Sequence, residues 1–211
     1  MKKFFIAAIS ICLLITACKD ETKKKDEVKP TATDTVQAAK FNKDSFLLHL
    51  TQDILIAFKN KNYLAIADFI DPVSGVRFSP YGYIDTVRNV IFSRARFAEE
   101  AGRSNQEKIV WGEFDGSGDT IKMTLNEYIA KFVYDVDFSK PEIRKVNEFI
   151  GHGNSLNNLL SVYKSCDFTE SHFSGFEKKY EGMDWRTLRL IFKERDGNLF
   201  LVGVVHDQWT S

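Results

Sequence analysis

WRTLRLIFKERDGNLFLVGVVHD, residues Trp185 to Asp207, decides the fold. Two apolar runs flank Arg195-Asp196-Gly197-Asn198, and Asp-Gly in such a setting is a strong signal for a two-residue hairpin turn. A symmetric turn pairs positions equidistant from it. On one face Phe192 then meets Leu201, Leu190 meets Gly203, Leu188 meets Val205 and Arg186 meets Asp207. On the other face Ile191 meets Val202, Arg189 meets Val204, Thr187 meets His206 and Trp185 meets Gln208. The first face is apolar and ends in an Arg186–Asp207 ion pair. The second is apolar near the turn and gathers Trp185, Thr187, Arg189 and His206 farther along. A slip of one residue would exchange the two faces.

Working back from the hairpin, Asp167 to Phe176 has the composition of another strand. Earlier segments are helical. From Asp44 to Lys59 the apolar residues recur at spacings of three and four. Asn62 is placed to cap a short helix from Tyr63 to Ile70, which Pro72 ends. Asp85 is expected to start a third helix into Phe92, continuing toward Glu100. Thr124 and Glu127 have capping-box spacing and open a helix to about Val133. Aromatics make up 13% of the chain, enough with the branched aliphatics for one core over residues 41–211. Helices first and an antiparallel sheet last define an α+β class. This element order resembles the nuclear transport factor 2-like, or cystatin-like, fold, in which helices pack on a curved, twisted antiparallel sheet to form a cone.

The amino terminus carries an address. Met1-Lys2-Lys3 precedes an apolar run, Phe4 to Ala17, that is too short to span a bilayer as a helix. A basic start, a short apolar middle and a small residue at the end describe a secretory signal over residues 1–17. The string Leu14-Ile15-Thr16-Ala17-Cys18 resembles the lipobox of bacterial lipoproteins, which implies that Cys18 is lipidated, becomes the new amino terminus and attaches the protein to a membrane. Residues 18–40 contain few large apolar side chains and are expected to form a disordered tether with a reach of about 25 Å. Its opening, Lys19-Asp20-Glu21, is similar to the surface-export signal of Bacteroidetes lipoproteins. Of three cysteines, Cys12 lies in the signal and Cys166 is left alone, so no disulfide framework is expected. Losing Lys2 and Lys3 from 29 basic residues leaves 27 against 29 acidic, a net charge of −2. No basic patch marks a nucleic-acid partner.

Three phrases are more particular: Arg77-Phe78-Ser79-Pro80-Tyr81-Gly82-Tyr83, then Trp111-Gly112-Glu113-Phe114-Asp115-Gly116-Ser117-Gly118-Asp119, and Met183 to Arg189 with His206 to Thr210. Together they resemble a family of uncharacterised bacterial lipoproteins. The resemblance implies an outer-membrane or surface location in the cell envelope and one compact domain, and carries over no activity.

Metal chemistry finds little purchase. Asp115, Ser117 and Asp119 match the first positions of an EF-hand loop. Thr120 then stands where glycine is required and Asn126 where the bidentate acid is, so a Gly-rich turn between two strands is preferred. His49, His152, His172 and His206 lack zinc-ligand spacing. No cofactor is expected. For catalysis, His206 and Asp207 are strand neighbours and point to opposite faces. His152 in Gly151-His152-Gly153 is read as a loop histidine beside a helix cap at Asn154 or Ser155. Asp135 and Asp137 suit the end of a helix better than a carboxylate pair. The candidate ligand site is the face bearing Trp185, Thr187, Arg189 and His206, with Tyr81, Tyr83 and Trp111 as further cavity or core aromatics. The competing reading pairs Arg189 with an acid such as Glu170 or Asp135. Three functions follow: a non-catalytic domain binding a small ligand or an envelope protein, a hydrolase or isomerase working around Arg189 and His206, or an assembly partner at the outer membrane.

Overall fold

Asp196 and Gly197 both adopt positive φ, 52° and 76°, as a type I′ turn requires. They join β7, Arg186–Arg195, to β8, Asn198–Gln208, in a computed structural model that describes residues 42–153 and 156–210. The expected signal, Cys18 and the tether lie outside the described residues, as does the helix cap at Asn154 or Ser155.

The four pairs nearest the turn, from Arg195↔Asn198 to Phe192↔Leu201, follow the symmetric register. A β-bulge then intervenes, and Ile191 pairs with Gly203 rather than Val202. Every later pair is displaced by one: Leu190↔Val204, Arg189↔Val205, Leu188↔His206, Thr187↔Asp207 and Arg186↔Gln208. One inserted residue sends the rest of β8 to the opposite face. The expected pairs Leu190–Gly203, Leu188–Val205, Arg186–Asp207, Arg189–Val204, Thr187–His206 and Trp185–Gln208 are therefore corrected. Residue 203 must also be small, because a Cβ there would lie 2.9 Å from Ile191 Cδ1 and 3.0 Å from the Tyr163 hydroxyl.

The hairpin sits in a six-stranded sheet of order β2-β1-β8-β7-β6-β5, formed with β1, Val76–Ser79; β2, Ile91–Phe92; β5, Ile143–Val146; and β6, Asp167–Phe173. β1 runs parallel to β8, so the sheet is mixed rather than wholly antiparallel. These strands are joined by a long excursion instead of a hairpin, which leaves parallel pairing open to them. Within that excursion β3, Ile109–Glu113, and β4, Thr120–Met123, form a separate two-stranded sheet around the Gly-rich turn.

Helix α1 spans Lys43–Lys59, with the Asn42 side chain accepting from the Ser45 N–H. Helix α2, Tyr63–Phe69, begins at Asn62 in the same way. Thr124 and Glu127 form the full capping box of α4, Leu125–Phe132. The third helix departs from expectation. The Asp85 carboxylate accepts from the N–H groups of Val87 and Arg88 and closes a turn, Ile91–Phe92 pairs with β1, and α3 starts only at Arg94, running to Gly102 behind a Ser93 cap. Asp serves turns and helix caps by the same hydrogen bond, so its presence alone does not choose. A short α5, Leu159–Val162, completes the α+β set.

Both faces of the sheet are covered. Leu188, Leu190, Phe192, Leu201 and Val204 join one core cluster with Leu47, Ile54, Leu55 and Phe58 of α1 and an aromatic group of Phe78, Phe92, Phe97, Trp111, Tyr128 and Phe132. Ile191, Val202 and Val205 form a second with Phe168, Ile84 and Leu159.

Candidate functional site

The displaced register divides the face expected to hold the site. Thr187 and Arg189 stay together, while His206 lies on the other side, opposite Leu188. Arg189 is fully buried. Its Nε donates to Glu170 Oε2 at 2.7 Å, one Nη to Asp207 Oδ2 at 2.8 Å and the other to the Gly151 carbonyl at 3.2 Å. Its guanidinium also lies 5.2 Å from the Phe149 ring centroid. Glu170 further accepts from the N–H groups of Ile150 and Gly151. Thr187 Oγ1 bonds His172 Nδ1 at 2.7 Å, and Trp185 packs beside that imidazole. The segment at Gly151 and Gly153 lies over these groups so closely that a Cβ at Gly153 would come 2.8 Å from the Trp185 ring. Arg189 is thus an internal ion-pair residue, its guanidinium shared between two carboxylates. Buried charges are normally paired in this way.

His206 is fully buried, with Nδ1 3.3 Å from the Pro80 carbonyl and Nε2 3.4 Å from Asp135 Oδ1. Burial would raise the Asp135 carboxyl, but His206 and Arg186 outweigh it and hold it below the usual carboxylate range. Arg186 binds Asp135 at 2.9 Å; the expected partner, Asp207, belongs to Arg189. His206 and Asp207 do point to opposite faces. Trp111 is a core residue, stacked on Tyr128 at 3.8 Å with Nε1 donating to the Met123 carbonyl.

Of the expected residues, Tyr81 and Tyr83 reach a cleft. This opening of about 630 Å³ lies between the loop that follows β1 and the β3–β4 turn. Three aromatic rings, Tyr81, Tyr83 and Phe114, line it with Asn89, Asp85, Arg88, Glu113 and Asp115. Its loop is built by local chemistry. The Ser79 hydroxyl bonds the carbonyls of Tyr81 and Tyr83 and folds the chain between them. Arg77 donates to the carbonyls of Asp85, Thr86 and Asn89 and fastens the loop to the sheet. Asn89 Oδ1 accepts from the Asp85 N–H at 2.8 Å, which fixes the orientation of its amide. On the opposite wall the Phe114 N–H bonds the Asp119 carbonyl, and Asp115 accepts from the Gly116 N–H and the Thr210 hydroxyl. Those bonds use Asp115 as a turn residue, in line with the Gly-rich turn reading. Tyr81 rests edge-on against Phe132 at 5.8 Å, and burial raises its phenol above the usual range.

A second groove, of about 770 Å³, runs past Lys108, Lys122, Lys131, Arg186 and Asp135. Among the described residues no group of three or more His, Cys, Asp or Glu is placed to hold a metal ion, and no helix is long and apolar enough to cross a membrane. Cys166 is a half-buried free thiol, raised by burial. Asn89 and Phe114 are the cleft residues that sequence reasoning missed. Their signal was the company they keep, polar and aromatic side chains on two glycine-punctuated loops, which is where scaffolds carry binding groups. No family model, no curated protein and no solved structure matches this chain.

Proposed function

We propose that this protein is a lipid-anchored component of the cell envelope whose domain binds a small ligand, without transforming it, in the Tyr81–Tyr83–Phe114 cleft. The observation that carries the reading is Asn89. It is 8% exposed, lines the cleft, has its oxygen committed to the Asp85 N–H, and among the described residues its amide nitrogen has no partner. That nitrogen is open to solvent through the cleft, where a ligand would supply an acceptor in place of water. The cleft volume lies in the ~300–1,000 Å³ range of small-molecule sites, which combine apolar walls with few polar groups. Among the described residues its lining includes no histidine, cysteine or serine, and its Thr210 hydroxyl is bonded to Asp115, which the Gly116 N–H also holds. A hydrolase or isomerase around Arg189 and His206 has less support, since both side chains are fully buried. Helices on a sheet that closes the chain also favour the finer likeness to the cone-shaped cystatin-like fold. The lipobox-like string ending at Cys18 supports lipid attachment at the outer membrane, and the near-neutral charge speaks against nucleic acid.

Thermal unfolding of the full chain in detergent, against a panel of small anions, sugars, nucleobases, amines and peptides, tests the binding reading. A ligand at 100 times its dissociation constant adds about 2.7 kcal/mol of stability. We expect at least one class to raise the wild-type melting point and to leave Tyr83→Ala unmoved. A panel that shifts nothing would count against a small-ligand site and favour an assembly partner.

A further inference from the structure

Resting on that reading of the cleft, we infer that its ligand is an uncharged polyhydroxylated ring, a saccharide. The charged side chains of the cleft are already engaged within the protein. Arg88 binds Glu113 Oε2 at 2.9 Å and lies 3.9 Å from Asp85 Oδ2. Asp85 Oδ1 caps the N–H groups of Val87 and Arg88. Asp115 accepts from the Gly116 N–H at 3.1 Å and from Thr210 at 2.6 Å. An anionic ligand would face three carboxylates. A cationic one would compete with Arg88 for Glu113, and its charged group would offer no acceptor to the Asn89 amide N–H.

Paired charges keep hydrogen-bonding capacity while losing most of their net attraction. A carboxylate has about four lone-pair directions, and those here are only partly used. The cleft therefore offers a fixed amide donor, spare carboxylate acceptors and aromatic faces, with no unopposed cation. Hydroxyl groups donate and accept, and so meet both kinds of group. The rings complete the match. Tyr83 is 52% exposed, and Tyr81 stands edge-on to Phe132 with part of its surface in the cleft. Such rings combine a broad apolar face with a polar tip, which suits a sugar ring that is apolar on its C–H face and polar at its rim. Space is left for it at Gly112, where a Cβ would meet nothing nearer than Asn89 Nδ2, at 3.9 Å. The amide donor thus borders open space.

The test uses the full chain in detergent with neutral disaccharides (maltose, cellobiose, lactose, chitobiose and mannobiose), choline and a capped neutral tripeptide. Calorimetry and melting point are followed for the wild type, Tyr83→Ala and Asn89→Asp. The aspartate keeps the oxygen that accepts from Asp85 and removes only the donor. A disaccharide should raise the wild-type melting point, and each variant should weaken its binding about tenfold or more. Saturation-transfer NMR on the wild type should place the contacted sugar protons on one ring face, a readout that needs no variant to fold. If choline or the tripeptide binds instead, with Tyr83→Ala abolishing it, the cleft reading stands and the saccharide inference is overturned. If nothing in the panel binds, both fall. A sugar whose binding ignores both variants lies elsewhere, which also overturns the inference.

Discussion

Asp71, just after α2, shows how much one buried carboxylate can hold. Its Oδ1 accepts from the N–H groups of Val73 and Ser74 at 2.9 and 2.6 Å, and its Oδ2 lies 3.1 Å from Arg195 Nε at the hairpin turn. Burial alone would raise this carboxyl, but the Ser74 N–H, Arg195, the Val73 N–H and the Ser74 hydroxyl together lower it to about 2. A carboxyl that ionises lower in the folded than in the unfolded chain stabilises above the unfolded value of 3.8, and that stability fades as pH falls through about 2. Asp71→Asn should cost about 2 kcal/mol at pH 7 and far less at pH 2. Urea unfolding at the two pH values checks this; an equal loss at both would mean that Asp71 acts through packing. Arg189 teaches a different lesson at the same scale. Its residue type is equally at home in a ligand pocket or a buried ion pair, and Glu170 was one of two acids foreseen as its partner. The second partner, Asp207, could not be foreseen, because its face depends on the bulge.

The bulge belongs to the scale of elements. Local signals were readable: the Asp-Gly turn, the Asn caps of α1 and α2, and the Thr124–Glu127 box all act within a few residues. The bulge was not, because Leu201-Val202-Gly203-Val204-Val205 has no polar residue to mark which side faces out. Two-residue β2 and the strands β1 and β5 escaped for another reason: they exist through partners elsewhere in the chain. Gly203 permits a direct test. Gly203→Ala would drive a Cβ against Ile191 Cδ1 and the Tyr163 hydroxyl, and overpacking of this kind costs about 1–3 kcal/mol. Ile191→Val removes the Cδ1 atom. In that background Gly203→Ala should cost measurably less, so a double-mutant cycle in urea should give a favourable coupling. Additive losses would mean that the strand, rather than the isoleucine, sets the limit at residue 203.

At the scale of the molecule, the cleft was hardest to read because it draws on the loop after β1, the β3–β4 turn, Leu156 and Thr210. Tyr81 enters it and Trp111 does not, although both stood in equally aromatic phrases. Its position on loops leaves the sheet free to serve as a closed scaffold, with Arg189 inside and both faces covered. Attachment, on the proposed reading, is a separate matter that rests on Cys18. If the thiol is acylated, each buried methylene contributes about 0.8 kcal/mol and multiple chains hold the protein at the membrane without help from the domain. In a bacterial host, the wild-type chain should incorporate labelled palmitate and sediment with membranes. Cys18→Ser should do neither, while the melting point of the detergent-purified protein should stay within about 1 °C, as the composition of residues 18–40 leads one to expect of a tether. Loss of label with retention in the membrane fraction would instead identify uncleaved residues 1–17 as the anchor. Release together with a large drop in melting point would mean that the amino-terminal segment packs on the domain.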